Sequence, residues 1–389
     1  MKNLKSIALV AFATVFGFSS CSNSDDLVNQ ETEQRTVFFK LNKNASGSRA
    51  VGPHVSGNEV TFSNGYLYLV DAKGKIYESV KINPGDGEFD KGVDPKTIGI
   101  EKLTTVGVTL DNINAKVTKA YVVGNTILQS GENVNDIFPK AKIKVENIFD
   151  ETNHGINSDA PLFGEGVLEP VMDASSPFNY KVQVQVKAVS SRLEIGSITA
   201  KGAIKDFKVE GIFINNYYTK LGVDGSIISD ADVNDNKDVI DNYKEDGGSY
   251  SVALKEIIYD YDVSGLGALD KLVCWPDGTN KNRDNKVWGY NFLVATDATK
   301  AVSPQIVVRL KDVKVGEAEA STIPYFLTIS TLKNGANDLA IEKGYAYRIQ
   351  DIEFDEGDLH IKPFEKNKNV QVDVTLIEWK SKDIGYELD

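Results

Sequence analysis

Between positions 180 and 189 the chain reads YKVQVQVKAV, which places Val182, Val184 and Val186 on one side of an extended strand and Lys181, Gln183, Gln185 and Lys187 on the other. A helix cannot use such a pattern, because its apolar stripe recurs every three to four residues. The pattern demands a sheet with one covered face. Alternating or β-branched runs recur at 66–70, 105–110, 120–123, 305–310, 325–329 and 346–354, each bounded by Gly, Asn, Asp or Pro. Helical periodicity is sparse, with short helices expected around 141–149 and 252–259. Many strands joined by short turns predict a mostly all-β chain of antiparallel sheets packed as β-sandwiches. The 389 residues suffice for two such domains. The stretch Asp173-Ala174-Ser175-Ser176-Pro177 is the expected break, giving sandwiches at 50–177 and 178–389.

The first residues read as a targeting segment rather than as fold. Lys2 and Lys5 precede twelve uncharged residues, Ile7 to Phe18, a run shorter than the roughly 20 residues that span a bilayer. It stops at Phe18-Ser19-Ser20-Cys21, small residues ahead of a thiol, which is the order that lipoprotein processing requires. Residues 1–20 are therefore expected to be a signal peptide and Cys21 the lipid attachment site, with Phe18 standing where Leu is usual. The following SNSDDLVNQETEQ is acidic and has no face to bury, as expected of a solvated tether. It resembles the tether of surface lipoproteins held in the outer membrane.

Charge and motifs exclude several functions. The formal net charge of −13 becomes −15 once Lys2 and Lys5 leave with the signal, and no basic stripe remains for nucleic acid. Of the two cysteines, a lipidated Cys21 leaves Cys274 without a partner, so no disulfide is expected. His54, His154 and His360 lack zinc-ligand spacing, and no nucleophile elbow or phosphate loop is present, so catalysis and cofactors are not expected. Asp230, Asp232, Asn234, Asp238 and Asp241 fall at positions 1, 3, 5, 9 and 12 of a calcium-type loop. Position 6, however, is Asp235 where the turn wants Gly, and a solvated acidic loop accounts for the same residues. Trp275, Trp288 and Tyr290 flank a Gly/Asn/Asp-rich loop and would suit a glycan platform, although such aromatics are more often core.

Three features resemble one family. The tether is followed by Thr36-Val37-Phe38-Phe39-Lys40-Leu41, with Val37, Phe39 and Leu41 on one face. A polar loop then leads to Arg49-Ala50, and near the C-terminus comes the alternating Val370-Gln371-Val372-Asp373-Val374-Thr375-Leu376 with Trp379 beyond it. This order is similar to that of the fimbrillins of Bacteroidales-type fimbriae, the type V pilins. The resemblance covers the order of elements throughout and is specific only at the two ends.

It implies a structural subunit of a cell-surface fimbria that supports adhesion. Residues 21–49 would be a lipidated propeptide removed by an Arg-specific protease at Arg49-Ala50. Loss of Val37, Phe39 and Leu41 would open a groove for a donor strand carrying Val370, Val372, Val374 and Leu376 from another copy or a related pilin. Head-to-tail filling of this kind propagates as a filament. The implied location is the outer membrane through the lipid before maturation and the extracellular fimbria afterwards, with host or bacterial surface ligands as further partners. Two alternatives stay open: an uncleaved surface glycan-binding lipoprotein, and an anchor or tip subunit of the same fibre.

Overall fold

The computed structural model describes residues 34–41, 62–144, 149–150, 155–156, 160–229, 233–234, 258–261, 273–274, 287–363, 372 and 374–378, less positions 127, 129, 301, 303, 335 and 336. The fold is all-β with few short helices. In chain order the N-terminal half contains β1 (Gln34–Leu41), β2 (Gly65–Asp71), β3 (Ile76–Asn83), β4 (Lys96–Gly99), α1 (Ile100–Thr105), β5 (Val108–Asn114), β6 (Val117–Gly124), α2 (Val134–Ile137), β7 (Lys142–Lys144), β8 (Leu162–Val167), β9 (Glu169–Pro170), β10 (Tyr180–Val184) and β11 (Lys187–Ala188). The second half adds β12 (Ser190–Ile195), β13 (Ile204–Asn215), β14 (Tyr217–Tyr218), β15 (Val233–Asn234), β16 (Ile258–Tyr261), β17 (Trp288–Leu293), β18 (Gln305–Val315), β19 (Tyr325–Ile329), β20 (Tyr345–Ile349) and β21 (Val374–Glu378).

Two sheets build the first sandwich. One has the order β9-β10-β1-β5 and the other β11-β8-β6-β2-β3-β4. Their inner faces are the alternate residues of each strand. Val37, Phe39, Leu41, Val108, Leu110, Val182 and Val184 from the first sheet meet Leu67, Leu69, Val80, Ile82, Ala120 and Val122 from the second, and α1 closes one end with Ile100 and Leu103. The second sandwich pairs the order β15-β14-β17-β12-β20-β21 with β16-β13-β18-β19. Leu193, Ile195, Tyr290, Phe292, Tyr347 and Ile349 face Ile212, Ile214, Ile306, Val308, Leu310, Leu327 and Ile329 across its core. The same core continues onto the outer face of the first sandwich through Tyr68, Val70, Val123 and Phe163. Phe138 stands edge-on to Tyr121 and Phe163 at that junction, with ring centroids 5.4 and 5.5 Å apart.

Three findings differ from the sequence reading. First, antiparallel pairing dominates, but β1 runs parallel to β10, β3 to β4 and β12 to β20. Parallel neighbours need long connections, so alternation along one strand cannot reveal them. Secondly, residues 142–144 and 149–150 are strand rather than helix, with β7 pairing to Lys220–Gly222. Ile258–Tyr261, at the end of the other expected helix, is strand as well.

Thirdly, the alternating run from Tyr180 divides between two sheets. β10 pairs with β1 and β11 pairs with β8, so the chain leaves the first sandwich only after Ala188. A break at 177/178 would cut β10 away from the core that Val182 and Val184 help to fill. The crossing brings backbones close together. A Cβ at Gly164 or Gly166 of β8 would collide with the carbonyl oxygens of Gln185 or Gln183.

Candidate functional site

β1 is an interior strand. Its register to β10 runs Val37↔Tyr180, Phe38↔Lys181, Phe39↔Val182, Lys40↔Gln183 and Leu41↔Val184. On its other side it pairs antiparallel with β5, through Val37↔Leu110, Phe38↔Thr109 and Phe39↔Val108. Among the described residues β5 has no ladder partner but β1, because β6, which follows it after a tight turn, belongs to the opposite sheet. Val37 and Phe39 are fully buried and Leu41 is 3% exposed. The V-x-F-x-L alternation of the sequence is thus the wall of a core, as expected.

The outward side of β1 is held by specific contacts. Phe38 stacks on Phe178 with centroids 4.8 Å apart, and Gly107 lies under the Phe38 ring, where a Cβ would collide with it. Gly107 has φ +84°, a left-handed conformation that suits glycine. The Arg35 guanidinium lies 4.3 Å from the centre of the Tyr180 ring and donates from Nη1 to the Val117 carbonyl at 3.0 Å. The Thr36 amide donates to Asn179 Oδ1 at 3.0 Å, and the Asn179 amide donates to the Thr36 carbonyl at 3.1 Å.

The second expected segment is docked on its own chain. β21 pairs antiparallel with β20, Ile349↔Val374 through Tyr345↔Glu378, and occupies the edge of its sheet. Val372 is 2% and Val374 5% exposed, both within the C-terminal core. Leu376 lies opposite Tyr347 in register, and Val370 lies outside the described residues. Among the described residues β21 therefore has one ladder where β1 has two. Beneath it, burial holds the Tyr347 hydroxyl up at a pKa of about 12. That hydroxyl donates to the Glu342 carbonyl at 3.1 Å and accepts from the Glu342 amide at 2.6 Å.

Cys21, Arg49 and Ala50 lie outside the described residues, as do Asp230, Asp232, Asp238 and Asp241 of the calcium-type loop. Asn234 belongs to β15, paired with Tyr217. Among the described residues no cluster of three or more metal-ligating side chains occurs. Trp288 is 3% exposed and Tyr290 fully buried, on β17 in the C-terminal core, which is the commoner place for such aromatics and not a glycan platform, while Trp275 lies outside the described residues. An alternating strand in a two-layered sheet turns every second aromatic inward, which the loop composition around it conceals.

Sequence reasoning also missed a buried ionic group. Glu194 on β12 accepts from Arg192 Nε at 2.8 Å and from Arg348 Nε and Nη2 at 2.8 and 2.7 Å, with all three side chains almost wholly buried. Gly289 on β17 leaves room for the Arg192 guanidinium, since a Cβ there would collide with it. The available signal was the R-x-E alternation in β12, opposite the apolar Leu193 and Ile195.

No protein-family model matches the chain, and no curated protein sequence matches it. Solved structures do. A candidate cell adhesion protein of Parabacteroides distasonis aligns with TM-score 0.49 at 12% identity, covering 89% of this chain and 96% of its own. A fimbrilin of Porphyromonas gingivalis aligns with TM-score 0.47 at 12% identity, covering 89% of this chain and 97% of its own. A candidate cell adhesion protein of Bacteroides eggerthii gives 0.47 at 15% identity, with 89% and 96% covered.

Proposed function

We propose that this chain is a structural subunit of a cell-surface fimbria, exported as a lipoprotein precursor and polymerised by strand exchange after an Arg-specific protease cuts at Arg49-Ala50. The observation that carries the reading is the place of β1. It is the one described strand on the N-terminal side of Arg49, and it fills the interior of a sheet, between β10 and β5. Cutting at Arg49 severs it from everything else that forms the first sandwich. Its departure leaves a slot with unpaired ladder groups on both walls and the sites of three buried side chains empty. A cut at Arg35 would fall inside β1 and leave Val37, Phe39 and Leu41 attached to the body.

The donor in this reading is the segment with Val370, Val372, Val374 and Leu376 of another copy or a related subunit. Moving from its own sheet edge to a slot exchanges one ladder for two, and each added backbone hydrogen bond contributes about 1 kcal/mol net. Val372 and Val374 are already buried in their own core, so for them the gain comes mainly from the second ladder. Cys21 would hold the precursor in the outer membrane by its lipid, and the mature subunit would belong to an extracellular fibre that supports adhesion to host or bacterial surfaces.

The test is proteolysis of the purified full chain with an Arg-specific protease. Polymers with a new N-terminus at Ala50 are expected on size-exclusion chromatography and in electron micrographs. A chain cut at that bond that stays monomeric after release of β1 contradicts the proposal.

A further inference from the structure

We propose a register for the exchanged strand: Val372, Val374 and Leu376 of a second copy take the places of Val37, Phe39 and Leu41, in the same chain direction as β1. The inference rests on the strand-exchange reading and specifies its partner residue by residue along the ladder. The slot is read by three inward sites spaced two residues apart, lined across the ladders by Val182, Val184, Val108 and Leu110. Val37-x-Phe39-x-Leu41 and Val372-x-Val374-x-Leu376 share that spacing and end on the same residue. A shift by one residue would turn Asp373 and Thr375 inward and every valine outward.

Shifts by two also fit less well. Advancing the donor places Glu378 at the Leu41 site, which would bury an unpaired carboxylate. Retarding it leaves Leu376 beyond the end of the slot, since β1 itself ends at Leu41. In the proposed register the outward Asp373 takes the place of Phe38, beside Lys181 of β10. Lys181 is an exposed cation that already holds the exposed Glu169 at 3.6 Å, so a second carboxylate on this face meets a positive neighbour. Reversing the strand would move Asp373 to the Lys40 position, beside Gln183, and forgo that neighbour.

One site is underfilled. Phe39 is among the largest fully buried side chains of the molecule, and Val374 is several carbons smaller. The central site is therefore the specificity-determining one: a donor with an aromatic residue there fills it better than the chain's own tail does.

Disulfide trapping reads the register directly. Phe38 lies opposite Thr109 on the antiparallel β5, and Thr109 is exposed. In a background of Cys21→Ser and Cys274→Ser, full-length chains carrying Thr109→Cys are mixed with chains carrying Gln371→Cys, Asp373→Cys or Thr375→Cys, cut with the Arg-specific protease and oxidised. The cross-linked dimer is expected from Asp373→Cys alone. Cross-linking from Gln371→Cys marks the retarded register and from Thr375→Cys the advanced register or the reversed strand; either result, or polymers with no cross-link, overturns the assignment while strand exchange stands. Failure of the uncysteined parent to polymerise sinks the strand-exchange reading itself.

The underfilled site has its own readout. A synthetic peptide of residues 369–380 is expected to cap growth of the cut full chain, and its Val374→Phe form to do so at about ten-fold lower concentration. Equal or weaker capping by the Val374→Phe peptide overturns the placement of Val374 at the Phe39 site.

Discussion

Replacing Phe39 by Ala should separate the stability of the precursor from the speed of its assembly. Phe39 is fully buried between Val182 and Val108 in register, and truncating such a ring costs about 3–5 kcal/mol. Domains of this kind are stable by about 5–15 kcal/mol, so the uncut variant should fold but melt earlier. After a cut at Arg49, β1 is held only by its side chains and two ladders. The same loss then falls on strand release. At 1.4 kcal/mol per decade, it would speed release by about a hundred- to several thousand-fold if expressed wholly in that step. The assay is a pair of measurements on one sample: a thermal melt before proteolysis, and polymer growth followed by light scattering after it. Phe39→Leu provides a milder step should the Ala variant not fold. A variant that melts earlier yet polymerises no faster than the parent would refute the reasoning, because β1 would then not be the element that exchange displaces.

Three further outcomes are expected. Glu194→Gln leaves Arg192 and Arg348 buried without their carboxylate and should cost about 3–5 kcal/mol in urea unfolding; a loss within error would mean that the ionic group adds nothing. Because burial raises the Tyr347 pKa to about 12 in the fold, its contribution is fully present below pH 10 and is lost as pH rises towards 12; alkaline melts should show that decline, and Tyr347→Phe should flatten it. Val374→Asp puts a carboxylate into the chain's own C-terminal core, since Val374 is 5% exposed where it stands; the monomer should lose several kcal/mol by denaturant titration, and a parental melting curve would show that β21 is not docked in solution.

Much of this arrangement is legible one strand at a time. Val37, Phe39 and Leu41, and again Val182 and Val184, are buried on the faces that their alternation assigns, because period-two burial is a local property. Pairing is not local. Thr36 bonds to Asn179 across a separation of 143 residues, and nothing in either segment names the other. Hence a break in composition at 173–177 looks like a domain boundary although the chain returns into the first sheet directly after it. The buried Arg192–Glu194–Arg348 group is hidden for the same reason: β12 and β20 are parallel neighbours far apart in sequence, and each carries its charge on the face that its apolar residues do not use. For Trp288 and Tyr290 the turn-rich surroundings leave a platform open beside the commoner core placement, and the ladder to β12 decides it by turning both into the core.

On the strand-exchange reading, the same geometry would keep the uncut precursor from assembling. A strand tethered to the domain it fills has an effective concentration on the order of millimolar, typical of short linkers, whereas a neighbour's tail competes at the far lower concentration of free subunits. The tethered β1 also offers the better fit at the central site, Phe39 against Val374. Both advantages depend on the chain remaining intact between Leu41 and Ser63. Once the bond at Arg49 is cut, a released β1 is diluted without limit, while every C-terminal tail stays attached to a subunit. Growth then follows from two ladders replacing one, and its direction is set because each subunit has one slot and one tail. The donor strand can therefore be a poorer ligand than the strand it replaces and still win.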